Sequence, residues 1–205
     1  AESPRPVLAR GTARYVGEPV AFVVADTAAQ ARDAAEAIVI DWSPRPAVPD
    51  IRSALKEGAP LVWSHAPGNI VFDTSIGDKS KVDAIFATAP RIVKREIENN
   101  RVVANYMEPR GCIAEHDEAS GGWTITVTSQ GVHNMQGMLA PILKCEPETL
   151  RVVTPDVGGG FGTKGFVYNE YALAAEAAKI LKRPVKWIAD RADHFVSDAH
   201  GRDSI

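Results

Sequence analysis

The first 50 residues show an apolar pattern that predicts one small β-α-β unit. Residues 20–25, VAFVVA, form a short continuous apolar run rich in β-formers, which predicts a buried strand. Thr27 then opens an alanine-rich stretch with Gln30 three residues later, the spacing of a capping box, and apolar positions recur at helical spacing through residues 28–38. Residues 39–42 predict a second strand. A unit of about 45 residues is too small for a robust core, so we expect it to pack on the remainder of the chain or to belong to a larger domain.

The rest of the chain predicts a linker followed by a longer α/β region. Prolines and glycines are frequent from residue 43 to residue 80 and predict an ordered linker. Beyond it, the pattern predicts strands at residues 92–98, 102–106, 112–116, 123–129, 150–153 and 185–189, and helices at residues 132–143 and 168–182.

The order of these elements places two features at one edge of the predicted sheet. From residue 123 onward the order is strand, helix, strand, glycine-rich loop, helix, strand, and crossovers of this kind make strands parallel. Gln130 follows the first of these strands, and the loop at residues 158–165 follows the second. If the two strands are near neighbours, both features lie at the edge where open α/β sheets bind ligands.

Composition and charge narrow the class of protein. The 205 residues are 45% hydrophobic and 24% charged with a formal net charge of -3, which excludes a disordered chain and a membrane protein. No long like-charged run is present, so we expect neither nucleic acid nor an anionic membrane as a partner, and no apolar run approaches a bilayer span. Two cysteines are too few for a disulfide framework and suit a reducing compartment, so we predict a cytoplasmic protein. The absence of an initial Met predicts a processed chain or a piece of a longer one.

The glycine-rich loop is the most informative stretch of the sequence. Four glycines occur within residues 158–162, and their entropic cost on folding usually reflects positive φ angles or a close approach of the backbone to something else. Successive N–H groups without Cβ atoms can cradle an anion or a metal-bound oxygen. A tight turn without a ligand is the simpler alternative, but the density of glycines favours a ligand.

Two phosphate-binding patterns can be compared with this loop. A P-loop is excluded because Gly165 stands where a Ser or Thr should hold magnesium. Residues 160–165 match G-x-G-x-x-G literally, and Asp190 lies near the position of a ribose-binding acid, so an NAD-dependent dehydrogenase is an alternative hypothesis. Against it, Pro155 and Asp156 interrupt the preceding strand, an additional glycine pair precedes the motif, and too few residues follow Asp190 to complete a nucleotide-binding domain.

Eight stretches of the sequence carry a resemblance to one family. They are residues 14–21 (RYVGEPVA), 28–38, 41–48 (DWSPRPAV), 105–110 (NYMEPR), 128–131 (TSQG), 156–164 (DVGGGFGTK), 183–187 (RPVKW) and 198–203 (DAHGRD). In this order they resemble the molybdenum-binding large subunit of the xanthine dehydrogenase / aldehyde oxidase family. They are most similar to the branch with carbon monoxide dehydrogenases and bacterial aldehyde oxidoreductases.

The resemblance implies an α+β fold and a place in a larger enzyme. Residues 1–50 would be the C-terminal half of an α/β hammerhead domain, residues 51–80 a linker, and residues 81–205 the first part of a molybdopterin-binding domain. The implied cofactor is a molybdenum-pterin, either molybdopterin or its cytosine dinucleotide form. The parent enzyme would oxidise a small carbonyl, carbon monoxide or an N-heterocycle, with water as the oxygen source. Its partners would be the remainder of the molybdenum subunit and iron–sulfur and flavin subunits or domains, in an oligomer.

The resemblance also implies roles for individual residues. Gln130 would hydrogen-bond an oxygen ligand of molybdenum or its pterin, and Phe161 and Gly162 would donate backbone N–H groups toward the oxo ligand of the metal. Gly159 and Gly160 would shape the same loop. Purine-oxidising relatives carry a Glu where this chain has Gly165, which disfavours xanthine as the substrate. The Glu that serves the family as a base would lie beyond residue 205, so we predict no catalytic residue in this chain and an inactive isolated fragment.

The remaining candidates are weaker. Glu108 and Arg110 flank Pro109 and either line a substrate funnel or form buried structural ion pairs. The five histidines never reach metal-ligand spacing on one face, so we predict no side-chain metal ligands. Cys112 lies in a predicted strand and is expected to be an inert thiol. A non-catalytic α/β binding or assembly module is the third functional hypothesis.

Overall fold

A computed structural model describes residues 5–205, which fall into two compact units. The larger unit comprises Arg5–Trp42 and Val102–Gly201, and the smaller comprises Ser43–Arg101 and Arg202–Ile205. In chain order the elements are α1 (Ala28–Glu36), α2 (Ile51–Ala54), α3 (Lys79–Thr88), β1 (Gly111–Asp117), β2 (Gly122–Val127), α4 (Val132–Leu143), β3 (Leu150–Val153), α5 (Asn169–Leu181), β4 (Val185–Ile188) and α6 (Arg191–Ser197).

The larger unit is built around a four-stranded mixed sheet with the strand order β3-β2-β1-β4. The hairpin β1–β2 is antiparallel, with Cys112 opposite Val127 and Asp117 opposite Gly122. Strand β3 adds parallel to β2, and β4 adds antiparallel to β1, so β2, β3 and β4 all run in one direction. The predicted α+β fold and the predicted parallel crossover through α4 are both confirmed.

The core of this unit lies between the sheet and two helices. Helix α4 packs on β3, and α5 packs on β1 and β4. Alternate residues of β2 are buried, as the period-two pattern of its sequence requires. Three alanines of α5, Ala174, Ala175 and Ala178, have no exposed surface. Their small side chains let the helix axis lie close to the sheet.

Helix α1 forms as its cap predicts, but the two strands predicted beside it do not. Thr27 Oγ1 accepts the N–H of Gln30 at 3.2 Å, and Thr27 N–H donates to Gln30 Oε1 at 3.1 Å, which completes the capping box. Residues 20–25 and 39–42 are irregular, so the predicted β-α-β unit is wrong. A strand exists only where a neighbouring strand completes its hydrogen-bond ladder, and the apolar run carries no information about that neighbour.

The same reason explains the other missing strands. Residues 92–98 and 102–106 were predicted as strands, and neither forms one. The described residues provide only isolated bridges nearby, Asn99 with Ser204 and Val102 with Gly201. In contrast, α3 and α6 are helices that the sequence pattern did not predict. Within residues 5–205, no helix combines the length and apolar character needed to span a bilayer.

Candidate functional site

The glycine-rich loop and Gln130 meet at one edge of the sheet, as their positions after two strands predict. Strands β2 and β3 are parallel neighbours, so their C-terminal ends lie side by side. A hydroxyl pair ties these ends together, since Ser129 Oγ lies 2.7 Å from Thr154 Oγ1, which donates to the carbonyl of Val127 at 2.9 Å. The parallel register therefore delivers Gln130 and the loop to one place.

The side chain of Gln130 is bound into the loop. Its Oε1 accepts the N–H groups of Gly162 at 2.9 Å and Lys164 at 3.2 Å, and its own backbone N–H donates to the carbonyl of Lys164 at 3.0 Å. With Oε1 engaged twice, the carboxamide NH2 is the group that remains for a ligand. A Cβ on Gly160 would lie 2.5 Å from Oε1, so only glycine leaves room for this arrangement.

The loop backbone adopts left-handed φ angles and leaves several amides without a protein acceptor. Gly159, Phe161 and Gly162 have φ angles of 89°, 50° and 93°. The left-handed region is accessible to glycine but strained for a phenylalanine. Within residues 5–205, no protein acceptor binds the N–H groups of residues 159, 160 and 161. We call these three successive donors the amide cradle, because glycine-rich loops bind anions with groups of this kind.

The donor set suits a ligand that presents oxygen atoms. It consists of the free loop amides together with the NH2 of Gln130, and a Cβ on Gly162 would meet nothing within 4 Å. The ring of Phe161 is exposed and lies beside Gly159, where a Cβ would come within 3.6 Å of it. Of the two amides expected to bind a metal's oxo ligand, that of Phe161 is free, whereas that of Gly162 already donates to Gln130. The residues therefore fit an anionic, oxygen-bearing group, with Gly162 also serving to orient Gln130.

Glu108 and Lys164 form an ion pair at the base of the loop. Lys164 is fully buried, and its Nζ donates to Glu108 Oε2 at 2.7 Å. The same carboxylate oxygen accepts the N–H of Gly158 at 2.8 Å. Partial burial opposes ionisation of Glu108, but the hydrogen bonds from Lys164 and Gly158 outweigh it, so the pKa of this carboxyl lies below its usual value. The sequence does not predict the pairing of Lys164 with Glu108, because the two residues are distant along the chain.

Arg110 lies in a second buried cluster. Of the two alternatives from the sequence, its surroundings match the buried structural ion pair. Its Nε donates to Asp198 Oδ1 at 2.5 Å, and its guanidinium lies 3.7 Å from the centre of the Tyr168 ring. The hydroxyl of Tyr106 donates to Oδ2 of Asp198, and His194 Nδ1 lies 2.7 Å from the same oxygen. Burial and the adjacent Asp198 carboxylate raise the pKa of Tyr106. Both Glu108 and Arg110 are thus in ion pairs.

The structure also shows the surroundings of Asp190 and Cys112, two further candidates from the sequence. The backbone N–H of Asp190, at the start of α6, donates to Asp193 Oδ2 at 3.1 Å, and the Asp190 side chain pairs with the exposed Arg32 at 3.2 Å. Cys112 is buried in β1, and this burial raises the pKa of its thiol to about 12. The thiol is therefore protonated at neutral pH, in agreement with the expected inert cysteine.

Comparison with protein families accounts for both parts of the chain. Residues 62–205 match the molybdopterin cofactor-binding domain, and residues 1–46 match the a/b hammerhead domain of aldehyde oxidase and xanthine dehydrogenase. The chain belongs to the aldehyde oxidase and xanthine dehydrogenase family. The resemblance carried by the eight sequence stretches is thereby confirmed.

Individual relatives within this family include enzymes with different named substrates. The carbon monoxide dehydrogenase large chain of Hydrogenophaga pseudoflava is 35% identical, over 96% of this chain and 26% of the relative. The nicotine 6-hydroxylase large subunit of Paenarthrobacter nicotinovorans is 34% identical, over 98% of this chain and 24% of the relative. The structure of quinoline 2-oxidoreductase from Pseudomonas putida 86 matches with a TM-score of 0.86 and 33% identity, over 98% of this chain and 25% of that one. The chain thus spans about a quarter of the length of these relatives.

Proposed function

We propose that this chain forms one wall of the cofactor site in the large subunit of a molybdenum hydroxylase. The observation that carries the proposal is the cradle of free amides at residues 159–161 beside Gln130, whose Oε1 is held by two loop amides. Membership in a family of molybdopterin-binding proteins supports a molybdenum-pterin as the ligand, either molybdopterin or its cytosine dinucleotide form.

Each loop residue has a distinct part in binding this group. The bound molybdenum-pterin supplies the two-electron oxidation chemistry, and the protein supplies position and polarity. The N–H of Phe161 and the NH2 of Gln130 would donate hydrogen bonds to the oxygen atoms of this group. Gly159 and Gly160 allow the close approach of the backbone, and Gly162 holds the carboxamide of Gln130 in the donating orientation.

The names of the relatives support the proposed class of reaction. They include enzymes named for carbon monoxide, nicotine, quinoline and aldehydes. We propose a small carbonyl, carbon monoxide or an N-heterocycle as the substrate, with water as the oxygen source. Among the N-heterocycles, xanthine is disfavoured, because Gly165 provides no carboxylate where purine-oxidising relatives carry a Glu.

The proposal extends to the assembly around the chain. Relatives are called large chains and subunits, which supports an assembly with further subunits. From the family resemblance we propose iron–sulfur and flavin subunits or domains as partners, together with the remainder of the molybdenum subunit, in an oligomer. The domain boundaries at residues 1–50, 51–80 and 81–205 and a cytoplasmic location stay proposals of the same kind. The Glu that acts as a base would come from the remainder of the subunit, so the chain by itself is expected to be inactive.

The test uses the full-length protein that contains this sequence. Molybdenum and pterin are quantified per polypeptide, and substrate-dependent dye reduction is measured for the wild type, Gln130→Ala and the control Gln30→Ala, which removes a glutamine that hydrogen-bonds Thr27 at the start of α1. We expect cofactor content and turnover to fall only in Gln130→Ala. A wild-type protein without molybdenum would refute the proposal. Tight NADH binding that is lost in Asp190→Ala would instead favour the dehydrogenase alternative.

A further inference from the structure

A single carboxylate oxygen fastens both ends of the glycine-rich loop. Glu108 Oε2 accepts the N–H of Gly158, the first loop residue, at 2.8 Å, and the Nζ of Lys164, near the last, at 2.7 Å. A backbone hydrogen bond from Glu108 N–H to the Gly158 carbonyl, at 3.2 Å, adds a second contact at the first end. The free amides of residues 159–161 lie between these two fastened points.

We propose that Glu108 and Lys164 act as a clasp, defined by these two side chains and the Gly158 N–H, that sets the shape in which the loop receives its ligand. Both are positioning residues that act through the loop backbone. The identity of the ligand rests on the proposed function, whereas the effect of the clasp on the loop does not.

Because Lys164 is buried, its side chain keeps its position only while Glu108 pairs with it. This side chain has no exposed surface, and Glu108 is its ion-pair partner among the described residues. A buried ammonium group without a partner is strongly unfavourable, so loss of the Glu108 charge drives Lys164 toward solvent. The face of the Tyr106 ring, 4.7 Å from Nζ, supplies only a weaker cation–π contact.

Movement of Lys164 would be transmitted to the binding groups. The backbone N–H and carbonyl of Lys164 both hydrogen-bond Gln130, so the clasp and the carboxamide share one anchor. At the other end, a Cβ on Gly158 would lie 2.5 Å from the Cβ of Glu108, which shows how closely the two segments pack. Opening the clasp therefore displaces both the amide cradle and Gln130.

The segment that carries Glu108 is itself held firmly. The guanidinium of Arg191 donates to the carbonyls of Tyr106, at 2.6 Å, and Met107. The Tyr106 hydroxyl is also tied to the buried Asp198. Glu108 thus projects from a fixed support, and the loop is the part that adapts to it.

The experiment compares Glu108→Gln, Lys164→Met and the double variant in the full-length protein. The matched control is Glu118→Gln, which breaks an exposed pair with Lys182 that has the same 2.7 Å length. Hydrogen exchange of the peptide covering residues 158–165 is measured with and without cofactor, against the strands β1 and β2 as an internal reference. Retention of molybdopterin during dialysis is measured in parallel.

We expect Glu108→Gln to raise exchange of the hydrogen-bonded loop amides of residues 158, 162 and 164 by about tenfold or more, because a charge-assisted hydrogen bond of a buried group is lost. Exchange in β1 and β2 should change far less, and the cofactor should dissociate faster. The double variant should retain more cofactor than Glu108→Gln, because it removes the unpaired buried charge.

Three outcomes would contradict the proposal that Glu108 and Lys164 act as a clasp. These are an unchanged loop peptide in Glu108→Gln, an equal effect in Glu118→Gln, or a double variant whose losses equal the sum of the single losses. If the wild type binds no molybdopterin, the proposed function fails, while loop exchange in the cofactor-free protein still decides whether the clasp exists.

Discussion

At the scale of single residues, the site depends on glycines that lack a Cβ atom as much as on the side chains that are present. Gly160 lies against the side-chain oxygen of Gln130, and the missing Cβ is what lets the carboxamide reach two loop amides. Gly165, in the same loop, has open space around it and no positive φ. Close packing therefore requires glycine at residue 160, whereas neither close packing nor a positive φ requires it at residue 165, although the two glycines look alike in the motif.

Gly160→Ala should disrupt the site, and Gly165→Ala is its matched control. The new Cβ at residue 160 would lie 2.5 Å from Gln130 Oε1, so we expect the carboxamide to be displaced and stability to fall by about 1–3 kcal/mol. Gly165→Ala should leave stability within about 1 kcal/mol of the wild type. Urea unfolding and cofactor content of both variants would decide, and equal behaviour of the two would contradict this account.

Ionisation of Glu108 should make stability depend on pH in a defined direction. Its pKa is lower in the folded protein than the ordinary 4.5, so the folded state favours the charged form. The stabilisation is present above pH 4.5 and is lost as the pH falls through the lowered folded pKa. Unfolding measured between about pH 6 and pH 3 should show a smaller acid loss in Glu108→Gln than in the wild type. Parallel pH curves for the two proteins would contradict the prediction.

At the scale of elements, local signals succeeded where a helix or hairpin contains its own hydrogen bonds. The capping box at Thr27 predicted the start of α1, and the pattern predicted strands at residues 112–116 and 123–129, which form the β1–β2 hairpin. The apolar run at residues 20–25 and the predicted strand at residues 92–98 did not form strands, since a ladder needs a partner that no local pattern reveals. The loop and Gln130 succeeded because two strands and one crossover determine their common edge.

Helix α5 should tolerate no enlargement on the face that meets the sheet. Ala175 has no exposed surface, so Ala175→Leu forces extra volume into a packed core and is expected to destabilise the protein by about 1–3 kcal/mol. Ala34→Leu, on the exposed α1, should change stability by no more than about 0.5 kcal/mol. Thermal or chemical unfolding of the two variants provides the measurement, and similar losses would refute the packing argument.

At the scale of the whole molecule, the two units differ in how they bury apolar side chains. The larger unit has a continuous core of strands β1–β4 with α4 and α5. In the smaller unit, α3 has no buried residue, and Phe72 and Ile76 are 80% and 101% exposed. Exposed apolar surface of this kind is typical of regions that other protein covers, which agrees with the proposed remainder of the large subunit.

The isolated 205-residue chain is therefore expected to behave differently from the full-length protein. It should bind a hydrophobic dye, and it should give no substrate-dependent dye reduction because the proposed base lies outside it. A triple variant of α3, Val82→Ser with Ile85→Ser and Phe86→Ser, should reduce dye binding, since all three side chains are exposed. Turnover by the isolated chain, or dye binding unchanged in the variant, would contradict these expectations.

The sequence by itself determined the family, the α+β class, the helices α1, α4 and α5, and the shared edge of Gln130 and the glycine-rich loop. Each of these depends on short-range patterns or on the fixed handedness of a crossover, which a linear sequence carries. Only the tertiary structure decided that Gly162 orients Gln130, that Glu108 pairs with Lys164, and that Arg110 pairs with Asp198. These partners lie 32 to 88 residues apart, and their pairing follows from how the elements pack, which no local pattern encodes.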